Sequence, residues 1–469
     1  MGKAEATIYD PRTFQALTFH DRLPQFRDGT DTPRAYLERA IETIAAREPV
    51  VKAFAHLNES GARAAADAST ARWKAGKPLS PIDGMPVAIK DLLETKDMPT
   101  EMNCEAFRGN FPKRDNAAVW ALRKAGAVVF GKTVTAELGG THPGPTTNPW
   151  DAARTPGGSS SGSAAAIAAG MVPAALGTQV GGSVIRPAAF CGTLALKPTQ
   201  GGINRGERQT TSQSTTGVHA GSIEDVWQVA IEIASRCGGD PGRPGLFGPS
   251  SPPAPAKPER LIVLETEGWA QLDDATRSTF ETLLEQVRSA GVTLLRRQDH
   301  PWVEALEQAI SKGRATCNAA THWENRWYQR NLLDQHPDGL SARAKATLAK
   351  AEGMSVDDYR AALMERTAAQ HRHAAVAPLA DAVITLSCPG PAPLWPGDVP
   401  RQPLAPRPTG DFVFNAPSSM LFAPALTMPL LSVGGLPVGV QLMGQQHEDA
   451  RITALARWML GAVAPVLAR

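Results

Sequence analysis

Thr155-Pro156-Gly157-Gly158-Ser159-Ser160-Ser161-Gly162-Ser163 leads without a break into Ala164-Ala165-Ala166. A Gly/Ser run is ordinarily a flexible linker, yet a linker has no reason to open directly onto an alanine-rich helix. Serines at a helix start cap it and aim backbone amides at whatever lies in front. Two further segments share this texture. Upstream, Gly84-Met85-Pro86-Val87-Ala88-Ile89-Lys90-Asp91 reads as a short buried strand, 85–90, that ends on Lys90. Downstream, Gly177-Thr178-Gln179-Val180-Gly181-Gly182-Ser183-Val184-Ile185-Arg186-Pro187-Ala188 brings a second Gly-Gly-Ser. A lone lysine closing an apolar strand is usually a snorkelling surface residue. Chains this rich in small residues bring backbone close to a ligand or to other backbone. The three together are harder to explain by structure than any one of them.

Working outward, strand and helix patterns alternate. Asp31-Thr32-Pro33 is a helix start, with Pro33 at the first helical position and Tyr36, Leu37, Ala40, Ile41 and Ile44 at helical spacing. A helix is predicted over 116–125 and a buried strand over 127–130. A Pro/Gly-rich connector runs from Cys237 to Pro258 and separates two parts of the chain. Beyond it come a strand at 261–264, an amphipathic helix carrying Phe280, Leu283, Leu284 and Val287, and a strand at 292–295. Residues 303–375 are mostly helical, and strands follow at 383–387 and 438–443 before a final helix. Such alternation argues for an α/β architecture.

Composition narrows the function. A net charge of +2 with interspersed acids and bases, and no basic stretch interleaved with aromatics, argues against nucleic acid as a partner. Cys104, Cys191, Cys237, Cys317 and Cys388 lie in no zinc-like or disulfide-like spacing and suit free thiols in a reducing compartment. The N-terminus lacks a secretory pattern, and the apolar stretch 164–176 is too short to span a bilayer, so a cytoplasmic protein without a membrane partner is expected.

Two motifs are set aside. Gly126-Ala127-Val128-Val129-Phe130-Gly131-Lys132-Thr133 matches the phosphate-binding loop pattern. Its four middle residues are strand formers, whereas a phosphate cradle needs a loop with inward amides. Gly158-Ser159-Ser160-Ser161-Gly162 matches the nucleophile elbow, which would make Ser160 the nucleophile. That chemistry wants a late histidine, and His447 sits in Gln-Gln-His-Glu-Asp, which reads as a solvated helix start.

The three segments, with Pro389-Gly390-Pro391-Ala392-Pro393 and Gly435-Leu436-Pro437-Val438-Gly439-Val440-Gln441 near the C-terminus, resemble the amidase signature family. The chain resembles one of its members, malonamidase, in its Gly-Gly-Ser-Ser-Ser-Gly-Ser and Gln-x-Gly-Gly-Ser-Val-Ile-Arg-Pro-Ala forms. The resemblance implies a mixed central β-sheet sandwiched by helices on both faces. It implies one domain over 1–469, with a signature core at about 80–235. The family nucleophile falls on Ser183, the bridging serine with its cis peptide on Ser159, and the base on Lys90. The oxyanion donors fall on the amides of Val180, Gly181, Gly182 and Ser183. Arg186, Gln179 and Ser160 are the substrate-binding candidates, with Arg186 either in a structural ion pair or reaching a substrate carboxylate.

These residue types suit the chemistry. A serine hydroxyl attacks only when a neighbour takes its proton. A lysine does that only when neutral, so its value of ~10.4 in water must be lowered by burial or a nearby cation. The expectation is an amidase acting on a small carboxamide without metal or organic cofactor, with a homodimer as its assembly. The alternatives are an esterase or carbamate hydrolase on the same triad, or a non-catalytic or transamidase-type subunit. Most family members carry Asp where this chain has Gln179, and place Arg two residues after the nucleophile rather than three. On those departures, the glutamine-using transamidase that works with a tRNA-charging partner is expected to be the weaker fit. Substrate contacts are expected around Met102, from Glu137 to Thr147, and from an apolar lid or packed core edge between Leu394 and Phe414.

Overall fold

In the computed structural model, which describes residues 8–207, 211–398 and 402–468, one mixed sheet runs through the molecule. Its strands are β1 (Phe54–Leu57), β2 (Pro86–Lys90), β3 (Val128–Thr133), β4 (Ala174–Gln179), β5 (Leu194–Lys197) and β6 (Thr215–Ala220). They continue with β7 (Arg260–Val263), β8 (Thr293–Leu295), β9 (Ala382–Leu386), β10 (Ala425–Val433), β11 (Leu436–Met443) and β12 (Val466–Ala468). The spatial order is β1-β3-β2-β4-β6-β5-β10-β11-β9-β7-β8, with β12 beside β10. Pairing is parallel for β3-β2-β4 and for β9-β7-β8, and antiparallel through the middle from β4 to β9.

Strand alternation assigns the two faces. Val87 and Ile89 of β2, with Leu261 and Val263 of β7, enter one core together with Val226 and Val229 of the helix Ile223–Cys237 and Phe280 and Leu284 of the helix Asp274–Ser289. Ala88 points the other way, onto the helix Ser161–Ala168. Ile262 does likewise, packing with Ile185, Val303 and Leu306. Helices therefore cover both sides, as the resemblance implied.

Most elements fall where the pattern puts them. Thr32 caps the helix Pro33–Val51 by accepting from Ala35 N at 3.1 Å, and Asn116 caps Ala117–Lys124. The connector does not divide the sheet, because β10 on its far side pairs with β5 on its near side. The longest strand, β10, has no sequence signal: it is buried along nearly its whole length and carries Pro429. The register shift between Met428 and Leu431 places that proline in an irregularity, where its missing N–H breaks no regular ladder.

The helix Ser161–Ala168 is buried at every residue and lies close against the sheet because its side chains are small. At Gly162 a Cβ would meet Ala53 O and come within 2.6 Å of Val134 N, backbone atoms that cannot swing away. Gly162→Ala is expected to destabilise the fold by about 1–3 kcal/mol despite alanine's better helix propensity, measured as a lower urea midpoint at unchanged slope.

Candidate active site

Parallel pairing of β2 with β4 brings the ends of both strands together in front of the helix Ser161–Ala168. Lys90, the last residue of β2, is wholly buried, and its Nζ has no carboxylate partner among the described residues. Nζ lies 2.7 Å from Ser159 Oγ, 2.9 Å from Ser160 Oγ, 2.9 Å from Thr178 Oγ1 and 3.2 Å from Thr178 O. The Gly158–Ser159 peptide is cis. Burial first, and then the charge of Arg186, push the Lys90 pKa well below its ordinary 10.5. Gly177 makes room for the cluster, since a Cβ there would sit 2.9 Å from Ser160 Oγ and 2.7 Å from His219 Nε2.

Ser159 and Ser183 both line a cavity of about 220 Å3. The carbonyl of Ser183 accepts from Ser160 N at 3.3 Å, while Ser183 Oγ forms no hydrogen bond with another described residue. Val180, Gly181, Gly182 and Ser183 form the turn beyond β4 and line the same cavity. Gly181 O accepts from Ser419 Oγ at 2.9 Å and Gly182 O from Arg186 N at 2.9 Å. In a trans peptide the N–H opposes the C=O, so the amides of Gly182 and Ser183 face away from those partners.

The other substrate-binding candidates occupy different positions. Gln179 lies beneath the cavity rather than in its wall: Oε1 accepts from Val184 N (2.9 Å) and Ile185 N (3.0 Å), and Nε2 donates to Ser419 Oγ at 3.2 Å. It holds the start of the helix Ile185–Cys191, a protein-internal duty that leaves it no polar atom for substrate. Ser160, also wholly buried, is occupied by Lys90 and Thr178. Arg186 does line the cavity, but its Nη2 donates to Gly158 O (2.5 Å) and Thr409 Oγ1 (3.1 Å). Burial lowers its pKa to about 10, against the opposing pull of Asp411.

Of the three expected contact regions, Leu138 to Thr141 reaches the cavity. Met102 packs beside Leu138 and Leu332 in a small apolar cluster. From the 394–414 loop, Phe412 lines the cavity and Thr409 backs Gly158, while Leu394 is exposed; its residues 399–401 lie outside the described part. Two neighbours are given no role by the sequence. Thr178 holds the amine, and His219 of β6 is buried beside it, kept neutral with a pKa of about 3 by burial and the Lys90 charge. Neither ring nitrogen of His219 has a partner among the described residues. A lone histidine in a strand gives no warning of this; only the pairing Ala175↔His219 delivers it.

The phosphate-loop match is a strand, β3, as its residue types require. Its Lys132 is buried and paired, donating to Asp91 Oδ1 (2.7 Å), Thr100 Oγ1 (2.7 Å) and Pro99 O (2.9 Å). Asp91 Oδ2 in turn accepts from Met102 N at 2.8 Å, tying the Met102 turn to the strand that carries Lys90. His447 is remote from the cavity lining and stacks on Phe247. Among the described residues no group of three His, Cys, Asp or Glu side chains converges as a metal site would.

Residues 35–453 match the amidase family model. The chain belongs to the amidase signature family. An amidase crystal structure superimposes with a TM-score of 0.82 at 28% identity, over 96% of this chain and all of that one. The family cleaves amide C–N bonds, and this chain is an enzyme of that class. The A-type subunit of the glutamyl-tRNA(Gln) amidotransferase of Rhodopirellula baltica is 32% identical over 92% of this chain and 93% of its own length. Its namesake from Acidothermus cellulolyticus is 45% identical over 181 residues, 37% of this chain and 35% of its own.

These relatives correct the expectation of a stand-alone amidase for small carboxamides with no nucleic-acid partner. They are named as subunits of an amidotransferase, and that name includes a tRNA. On sequence, the departures at Gln179 and Arg186 disfavour a transamidase. Gln179 is engaged within the protein and so does not discriminate substrate classes, whereas Arg186 is tied only through Nη2 and its buried Nε has no partner among the described residues. No helix among the described residues is long and apolar enough to cross a membrane.

Lys132→Met would strand the buried Asp91 carboxylate without its cation. A loss of about 3–5 kcal/mol in urea unfolding is expected, whereas the double change Lys132→Met with Asp91→Leu should recover much of it.

Proposed function

We propose that the chain is the amide-cleaving component of an amidotransferase assembly, opening a carboxamide C–N bond and passing the nitrogen to an acyl acceptor on a charged tRNA held by partner chains. The observation that carries this reading is the near full-length identity to the amidotransferase subunits. Its five unpaired cysteines fit a reducing, cytoplasmic setting.

In this reading Ser183 is the nucleophile, Ser159 the bridge and Lys90 the base. A neutral amine has two N–H donors and one lone pair. Thr178 O can only accept, so it takes one N–H, and the lone pair is left to receive the Ser159 O–H across 2.7 Å. Ser159 Oγ then accepts the Ser183 proton as Ser183 Oγ attacks the carbonyl. The link to Ser183 is open in the free protein, as catalytic hydrogen bonds often are before substrate tightens them. Negative charge on the carbonyl oxygen is met by the Gly182 and Ser183 amides, with those of Val180 and Gly181 beside them. The relay returns the proton to the leaving nitrogen, the amine departs, and water releases the acyl group from Ser183. Arg186 acts at a distance, its fixed charge helping to keep Lys90 neutral.

Three measurements test this. A fluorophosphonate should label Ser183, and Lys90→Ala should slow labelling by about 10²–10⁴-fold with the fold intact; full-rate labelling of that variant overturns the base assignment. Removing a positive neighbour raises a lysine pKa, so in Arg186→Leu the acid limb of the labelling rate should move to higher pH; an unmoved or lowered limb contradicts the coupling. Co-expressed with the other subunits of a glutamyl-tRNA(Gln) amidotransferase, the chain should co-purify with them and support Ser183-dependent amidation of glutamyl-tRNA(Gln). Absence of both co-purification and amidation would sink the transamidase reading.

A further inference from the structure

One buried polar side chain beside the relay has no duty in it. His219 of β6 is wholly buried, paired with Ala175 of β4 and Ala195 of β5. A neutral imidazole offers one N–H and one lone pair, and neither ring nitrogen has a partner among the described residues. Leaving such groups unpaired in the interior costs stability, whereas an apolar side chain of similar shape would carry no such cost. Packing therefore does not account for a histidine at this position.

Its surroundings do. A Cβ on Gly177 would lie 2.7 Å from His219 Nε2, 3.1 Å from Cδ2 and 2.9 Å from Ser160 Oγ, so the imidazole edge and the hydroxyl border the same spot. Ser160 Oγ accepts from Lys90 Nζ at 2.9 Å. Its own proton has a weak outlet, a 3.3 Å bond to Thr178 O, a carbonyl that Lys90 Nζ also uses at 3.2 Å. A hydroxyl whose proton goes to a better acceptor becomes a better acceptor itself, because successive hydrogen bonds polarise one another. With its proton on Nδ1, the ring keeps a lone pair on Nε2, at the edge that borders Ser160.

The need for such support arises during turnover. On taking the Ser183 proton, Lys90 becomes an ammonium under repulsion from Arg186 and with no carboxylate beside it among the described residues. Each acceptor that favours the ammonium keeps the base strong enough to act near neutral pH. The other elements packed around the ring add little charge. The helix Ser161–Ala168 and β4 carry no titratable side chain. On the helix Ile185–Cys191, Arg186 acts on Lys90 and burial keeps the Cys191 thiol neutral, while Lys197 at the end of β5 donates to Pro198 O at 2.9 Å. Lys90 is the charge that His219 feels.

We infer that His219 is a positioning residue of the relay: Nε2 takes the Ser160 O–H and so strengthens the hold of Ser160 on Lys90 once that amine is protonated. The inference rests on Lys90 as the base of the reading above and adds a residue to it.

The test is the pH profile of fluorophosphonate labelling at Ser183 in the full chain, with melting temperature as the check on folding. In His219→Leu the Lys90 ammonium loses support. The acid limb should move to lower pH and the plateau rate should drop about tenfold, the mark of a weaker base. This is the reverse of the limb shift expected for Arg186→Leu. A glutamine side chain places its carboxamide near the Nε2 position and an asparagine near Nδ1. His219→Gln should therefore keep the parental profile, and His219→Asn should follow His219→Leu. An unmoved or raised limb in His219→Leu overturns the inference. So does one profile shared by His219→Gln and His219→Asn, which decides the matter if His219→Leu does not fold. Full-rate labelling of Lys90→Ala removes the base assignment and this inference together, whereas an unchanged His219→Leu beside a slow Lys90→Ala removes this inference alone.

Discussion

An amine held in the interior with hydroxyls and a carbonyl around it, and no carboxylate, is the constraint on which the rest of this molecule turns. Lys90 and Lys132 end up on neighbouring parallel strands and are both buried, yet they are treated oppositely. Lys132 is given Asp91 and stays in a charged pair. Lys90 is given Ser159, Ser160 and Thr178, with Arg186 near enough to repel a proton. A buried ion pair holds structure together, while a buried unpaired amine is poised to take a proton. The two outcomes follow from which side chains the sheet order brings alongside.

Much of this is legible in the sequence because the site is built of short contiguous segments. Gly-Gly-Ser-Ser-Ser before an alanine run, Gly-Gly-Ser after Gln179, and a strand ending on Lys90 are local patterns, and their meeting follows from β2 pairing with β4. What escapes the sequence depends on long-range pairing. His219 reaches the amine only through the β4–β6 ladder, and the cavity-lining residues from Asn318 to Gln329, exposed or half-buried, look like any solvated helix face until the fold sets them along the cavity. β10 is hidden because strands buried on both faces lose the two-residue alternation, and Pro429 reads as a breaker. Gln179 and Ser160 look like substrate contacts because they sit within the motif, but adjacency in sequence does not tell a wall from the layer behind it.

The same distinction explains why sequence reasoning misjudges the function while it finds the chemistry. The proposed bond-breaking groups, Ser183, Ser159 and Lys90, speak to a reaction class and are silent about whether the nitrogen goes to water or to a second acceptor. Of the two residues that read as clues against transfer, Gln179 is bound up in supporting a helix start, and Arg186 supports the Gly158 carbonyl through Nη2 while keeping its Nε without a partner among the described residues. Likeness to the amidotransferase subunits over most of the chain is what supports the proposed assembly over a free-standing enzyme.

The glycines under the relay have an effect on how this protein can change over generations. With Gly162 pressed on Val134 and Gly177 on Ser160 and His219, the floor of the cavity tolerates no added atom. Elsewhere the lining includes the helix Gly313–Gln335, whose Asn318, Asn325 and Gln329 side chains make no hydrogen bond to another described residue. Novel selectivity can therefore arise by exchanging residues there, one at a time, while the machinery underneath is inherited unaltered.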